Sequence, residues 1–429
     1  MDRLVTALEI GGPGRRGFYL VVVKLVDVAA RAGFILTATF GLRVDQAGGF
    51  GLIATLIGLF AFAFNFERHI DIQRRSAGEP HPVMDRHVLQ ALKFFAFNWA
   101  FMIPLFVLAV LLWTGAAWTV LAAAVVVVVG EHLSNQAYQY ALINDRYAPM
   151  LVVVAIKNAL LAAVALGAAL FMSEVFALGF VMTVWAVGAV LCTLALAVMF
   201  LRIHDAAPKS TPFHLGTDIL GQHKASLTHF LIGLVAILVL QFDRLAVGGL
   251  LSLEQTGVYF RHALLISLLY QVFSIASFNR VTPSIFVAAR VEPISLLIGR
   301  VLREYARVIV LTPIFFAAIF AADRLTGGVW TARFHLDLGL VAVMMLGFVA
   351  RTAADFPALI MNALHRERLV LHRQAIAFAV GGGLLIGLTH LYGLWGAASA
   401  MVSTSALYAI LNWTVLRRLS RQPTPGAPS

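Results

Sequence analysis

The chain has 429 residues, 60% of them hydrophobic and only 12% charged, and a mean hydropathy of +0.87. Soluble domains carry about 25% charged residues, so this sequence has too little polar material to wet a surface and lipid must be the solvent for most of it. The net charge of +11 does not point to nucleic acid, because the positive residues are scattered through short connections between apolar runs.

Residues 1–16 are short, polar and Gly-rich, without the apolar core of a cleavable signal, so the first apolar segment is predicted to stay as an anchor. Twelve spans are predicted, at 17–42, 47–66, 89–113, 116–141, 149–171, 175–203, 225–251, 256–279, 302–322, 338–362, 369–391 and 393–416. The expected class is an all-α polytopic membrane protein with about twelve transmembrane helices. Lys and Arg set the orientation. One set of connections holds clusters such as Arg68, Arg74, Arg75 and Arg86, or Arg300, Arg303 and Arg307. Outside the spans, the opposite set holds only Arg43, Arg324 and Arg333. This places both termini in the cytoplasm and the chain in a bacterial inner membrane. The connections at 67–88 and 204–224 read as linkers or interfacial helices, and the Pro-rich tail reads as disordered. Cys192, the single cysteine, excludes an internal disulfide and reads as a core residue.

Two stretches repeat. Val44-Asp45-Gln46-Ala47-Gly48-Gly49-Phe50 and Leu253-Glu254-Gln255-Thr256-Gly257-Val258-Tyr259 share the pattern aliphatic, acid, Gln, any, Gly, any, aromatic, at an offset of 209 residues. The plainer reading is a common helix-start turn. The fuller one is a duplication: an N-terminal six-helix half at 1–203, a cytoplasmic linker at 204–224, a C-terminal six-helix half at 225–416 and a tail at 417–429. In transporters built from parallel repeats, the substrate site lies at the interface between them.

These turns resemble the acid-x-aromatic-Gly turn of the polysaccharide-export branch of the multidrug/oligosaccharidyl-lipid/polysaccharide exporters. Gln241-Phe242-Asp243-Arg244-Leu245 resembles that branch's aspartate near the outer end of span seven, and Asn144-Asp145-Arg146-Tyr147 its inner turn after span four. Arg43-Val44-Asp45 lacks the branch's usual proline. The resemblance implies two pseudo-symmetric bundles around a central cavity. It also implies a flippase moving undecaprenyl-diphosphate-linked oligosaccharide from the inner to the outer face, for O-antigen or exopolysaccharide synthesis. Lipid-linked oligosaccharide and membrane lipids are the implied partners, beside a polysaccharide polymerase and chain-length machinery, with the flippase expected as a monomer. The alternatives are a multidrug cation exporter of the same superfamily and a membrane-embedded polymerase or glycosyltransferase. The latter would need an acidic catalytic motif on an extramembrane loop, which the sequence does not show, so no enzyme is expected.

Ionisable residues inside spans cost about 2.5–3.5 kcal/mol each on insertion scales and normally face a cavity or a partner. Lys24, Asp27 and Arg31 fall within an arc of roughly 60° on span one. Asp243 and Arg244 lie in span seven, Arg261 in span eight, and Arg351 and Asp355 in span ten. These eight are the candidate substrate residues of a central, net positive cavity, with arginine suited to phosphate by its two-pronged donor geometry. The competing reading is neutralisation within a helix, Asp27 by Arg31 and Asp355 by Arg351. Glu131 in span four and Lys157 in span five lie at similar depth across a turn and are expected to form a structural ion pair. No metal site and no cofactor is expected. Asp27, Asp243 or Asp355 could bind a coupling proton or sodium ion. Gly381-Gly382-Gly383 lacks a following Gly-Lys-Ser/Thr and reads as helix packing.

Overall fold

The computed structural model describes residues 13–68, 81–143, 148–204, 215–273, 277–289 and 291–421. The described residues are almost wholly helical and contain no strand. The inner turn at Asn144–Tyr147, most of the 67–88 connection, the 205–214 part of the linker and the tail from 422 lie outside them.

The chain divides into two compact units, Met1–Leu234 and Val235–Ser429. Unit 1 contains α1 (Pro13–Gly41), α2 (Val44–Asn65), α3 (His81–Thr114), α4 (Trp118–Ile143), α5 (Ala148–Phe171) and α6 (Leu178–His204). In it α1 packs along α5, α4 along α6, and α2 against α3 and α4. Helix α7 (Leu215–Leu250) is continuous through the unit boundary. Its first turns belong to unit 1. His223 bonds Asn98 at 3.2 Å, and Phe230 stacks on Phe66 with ring centroids 4.0 Å apart. The 215–224 part of the expected linker is therefore helix running directly into the span.

Unit 2 continues with α8 (Leu253–Phe273), α9 (Asn279–Ala288), α10 (Ile294–Leu325), α11 (Val329–Phe334), α12 (Leu338–Ala363) and α13 (Glu367–Ser420). Here α12 is central, packing on α13, α10 and α8. Span eight, expected over 256–279, is helix from Leu253 to Phe273; 274–276 lie outside the described residues, and the chain is helical again from 277 into α9. Helix α13 is a hairpin of two legs. Gly393 takes φ 59° and ψ −135°, outside helical space. On either side the legs run antiparallel in close contact: a methyl group on Gly381 would fall 2.3 Å from Thr404, and one on Gly396 1.8 Å from the Leu388 carbonyl oxygen. Glycine is needed at Gly393 for its positive φ and at Gly381 for the approach of the two legs.

Among the described residues, nine helices are long and apolar enough to cross a membrane. The α13 hairpin is one of the nine, while α1, with Lys24, Asp27 and Arg31 in its apolar stretch, and α8 are not. Large apolar side chains point outward on these helices, among them Leu112, Leu170 and Phe171, as a lipid-facing surface requires. This is an all-α, multi-pass membrane fold.

Both repeat stretches open helices, with Asp45 and Glu254 in the first turns of α2 and α8. Their aromatic members, Phe50 and Tyr259, are both fully buried. Each meets the preceding helix at matching positions. Phe50 packs edge-on against Phe34 at 6.3 Å, and Tyr259 donates to Asp243 at 2.7 Å. Phe34 and Asp243 are themselves 209 residues apart. The two contacts sit at the same sequence offset but differ in chemistry, one a ring pair and the other a hydrogen bond. At the other end of α2, Phe66 and Glu67 both take left-handed φ, 49° and 54°. Burial holds the Glu67 carboxyl up at about 7.

Candidate functional site

Four charged residues of unit 1 line one cleft, Lys24, Asp27 and Arg31 of α1 and Glu131 of α4, beside Ser134 and Asn135 of α4 and Asn158 of α5. Glu131 is its anchor. One carboxylate oxygen accepts from Lys157 Nζ at 2.6 Å and from Trp185 Nε1 at 3.0 Å; the other faces Arg31 at 3.5 Å. The Glu131 and Lys157 side chains are 3% and 2% exposed. Lys157 also reaches Ser134 Oγ at 3.5 Å. Burying a charge is costly unless it is paired and hydrogen-bonded, and here both conditions are met.

Asp27 is held on its own terms. Lys24 donates to it at 2.8 Å and Asn158 Nδ2 at 2.5 Å. This corrects the intrahelical pairing of Asp27 with Arg31. Asp27 is drawn toward Lys24 and across to α5, which leaves Arg31 to reach Glu131 on α4. The Arg31 side chain is 45% exposed, against 3% for Glu131. Arg31 is thus the open arm of a buried ion cluster. Three cations (Lys24, Arg31, Lys157) face two carboxylates (Asp27, Glu131), so the cluster carries one excess positive charge. The enclosed space is only ≈ 20 Å³, enough for a water or one small charged group, since a single water needs about 10–15 Å³ by such a measure.

The remaining candidates lie in unit 2 and do not form one cluster. Asp243 accepts from Tyr259 through Oδ2, while its buried Oδ1 has no hydrogen-bond partner. Arg244 donates to Ser267 at 2.8 Å and lies 5.5 Å from the Phe260 ring centre. Arg261 is buried and donates to the Phe334 carbonyl at 3.1 Å, which ties it to the loop before α12. Arg351 pairs with Asp355 at 3.0 Å, one turn along α12, with both side chains 13% exposed. Its guanidinium lies 5.1 Å from the Tyr408 ring centre, so packing surrounds it.

Asn158, Trp185 and Tyr259 were not among the sequence candidates. Asn158 carried a usable signal: it follows Lys157 in an otherwise apolar run, and an amide inside a span also needs a partner. Trp185 and Tyr259 gave none, because an aromatic residue in a span reads equally as packing.

No protein-family model matches the chain, and no curated protein matches it in sequence. Solved structures match it in fold. An inward-facing multidrug resistance MATE family transporter of the MOP superfamily superposes with a TM-score of 0.65 at 13% identity, covering 92% of this chain and 98% of that one. An outward-facing multidrug resistance MATE transporter gives 0.56 at 16% identity, covering 97% and 98%. The eukaryotic MATE transporter AtDTX14 gives 0.53 at 12% identity, covering 95% and 98%. At these identities the likeness is one of fold. The chain has the fold of the MATE transporters of the MOP superfamily.

Proposed function

We propose that this chain is a secondary transporter that exports an amphipathic solute by alternating access. The observation that supports this most is the fold, which neighbours described as multidrug resistance transporters adopt in both inward- and outward-facing forms. That likeness favours export of small amphipathic molecules over the lipid-linked oligosaccharide suggested by the short sequence motifs. Charge narrows the substrate class. Three candidate carboxylates already have cations, Asp27 by Lys24, Glu131 by Lys157 and Asp355 by Arg351, and they offer little to an organic cation. Arg31 offers an open donor. Among the described residues Asp243 has no such cation and is assigned to coupling, so the unit 1 cleft suits an anionic or zwitterionic amphiphile.

The same open arginine keeps a second reading in play, a flippase for lipid-linked oligosaccharide whose diphosphate would meet Arg31. In that reading a polysaccharide polymerase and chain-length proteins are the partners. For coupling, Asp243 is the carboxylate we assign: it has a neutral hydroxyl donor, a buried free oxygen and, among the described residues, no ion-pair partner. A proton is the simplest occupant. The chain is placed in a bacterial cytoplasmic membrane with twelve spans and both termini inside. These are the spans in the nine helices, the second leg of α13, and α1 and α8. Reporter fusions at Gln46, Gly115 and Gly393 should read outside and fusions at Ala77 and Ala207 inside; an outside signal at Ala207 would overturn this topology.

Deleting the gene should raise intracellular retention of anionic amphipathic dyes while leaving lipid-linked sugars evenly distributed between membrane faces. Lipid-linked sugar trapped on the inner face, measured by mass spectrometry, with unchanged dye retention would establish the second reading instead. No change in either would remove both.

A further inference from the structure

The connection between α10 and α12 in unit 2 is tied down at three points. Asp323, near the end of α10, accepts from the backbone N–H and hydroxyl of Thr331 at 3.2 and 2.7 Å. Arg261 of α8 donates to the Phe334 carbonyl at 3.1 Å. The Asp337 backbone N–H donates to Nε2 of His262 at 2.8 Å. Between the last two ties, His335 takes a left-handed φ of 50° and Leu336 is buried.

The third tie depends on one protonation state. Nδ1 of His262 lies 2.7 Å from the Val258 carbonyl, which can only accept, so Nδ1 carries the hydrogen and Nε2 the lone pair. A proton on Nε2 would set N–H against N–H. Two charged groups act on the ring: Arg261, its neighbour on α8, and Asp337 from the loop. The Asp337 carboxylate is already engaged as the N-cap of α12, accepting from Gly339 and Leu340. The imidazole itself is fully buried.

We propose that residues 331–337 form an acid-released strap, freed from α8 when His262 takes up a proton at Nε2. The adjacent Arg261 opposes a charged ring while the strap is closed, so protonation and release occur together. Because α12 is the helix on which α8, α10 and α13 pack, the strap lets the pH of its own membrane face regulate unit 2. This goes beyond the transport reading and holds for any solute.

Hydrogen exchange on the purified full-length chain tests it. Protection of the peptide over 329–340, corrected for intrinsic exchange, should fall toward acid pH by about tenfold per pH unit once His262 titrates. In His262→Gln, whose amide oxygen can accept from Asp337 but does not titrate, protection should stay level. Unchanged protection in the wild-type chain between about pH 7.5 and about pH 5.5, the range histidine switches span, overturns the strap whatever the variant does. A fall in His262→Gln equal to that of wild type assigns the proton elsewhere and also overturns it. Should His262→Gln not fold, His262→Asn serves for the comparison.

Discussion

Lys157→Met alone should remove most folded protein from the membrane, and adding Glu131→Gln should bring much of it back. The ammonium of Lys157 lies 2.6 Å from Glu131, and both side chains are nearly inaccessible. Without it, Glu131 keeps only the Trp185 N–H at 3.0 Å and the half-exposed Arg31 at 3.5 Å. Breaking one side of a buried pair costs about 3–5 kcal/mol, a large share of the roughly 5–15 kcal/mol that holds a typical domain. Glu131→Gln removes the stranded charge and leaves a carbonyl oxygen for Trp185. The double variant then loses a pair whose Coulomb gain was largely offset by desolvation. The readout is the monodisperse fraction and melting temperature of detergent-solubilised protein. A double variant no better than either single one would show that the two charges are not coupled.

Much of this fold could be read from hydropathy because span length is set by the bilayer. The segment expected at 338–362 is Leu338–Ala363, and the boundary expected between 391 and 393 is the Gly393 turn. Equal depth on either side of a short turn places Glu131 opposite Lys157, and they meet. The short helices α9 and α11 were not legible. Helix α11 depends on Asp323 holding Thr331 from eight residues away, a tertiary contact with no local pattern. The partner of Arg31 was misplaced for a related reason. Sequence arithmetic sees the acid one turn away on the same helix, whereas the fold supplies a buried carboxylate on α4 and gives Asp27 to Lys24 and Asn158. The substrate was least legible. Short turns resembling one branch of a superfamily carry little information beyond the helix-start geometry they encode, and the fold is shared across such branches.

Arg31→Ala should strongly reduce export at low substrate concentration while the protein remains folded in the membrane, which separates Arg31 from Lys157 and Arg351. Removing Arg31 leaves Glu131 with Lys157 and Trp185, so no buried carboxylate is stranded. Removing Arg351 would leave Asp355, whose buried Oδ2 already lacks a hydrogen-bond partner, without its cation, and that variant should lose folded protein first. Arg31 is also the cation whose contact with the cluster is longest, 3.5 Å against 2.8 Å for Lys24 and 2.6 Å for Lys157. An anionic headgroup entering the cleft can therefore draw Arg31 away while Lys157 holds Glu131 in place. Losing one charge-assisted contact of this kind costs about 1.5–3 kcal/mol, so Arg31→Ala should weaken apparent affinity by roughly 10- to 100-fold. Arg31→Lys should recover part of it, since an ammonium keeps the attraction and loses the planar fork. Export is measured at rising substrate concentration and normalised to membrane protein level. The change should appear mainly as a higher half-saturating concentration. Wild-type export by Arg31→Ala at equal protein level would show that the cleft of unit 1 does not meet the solute.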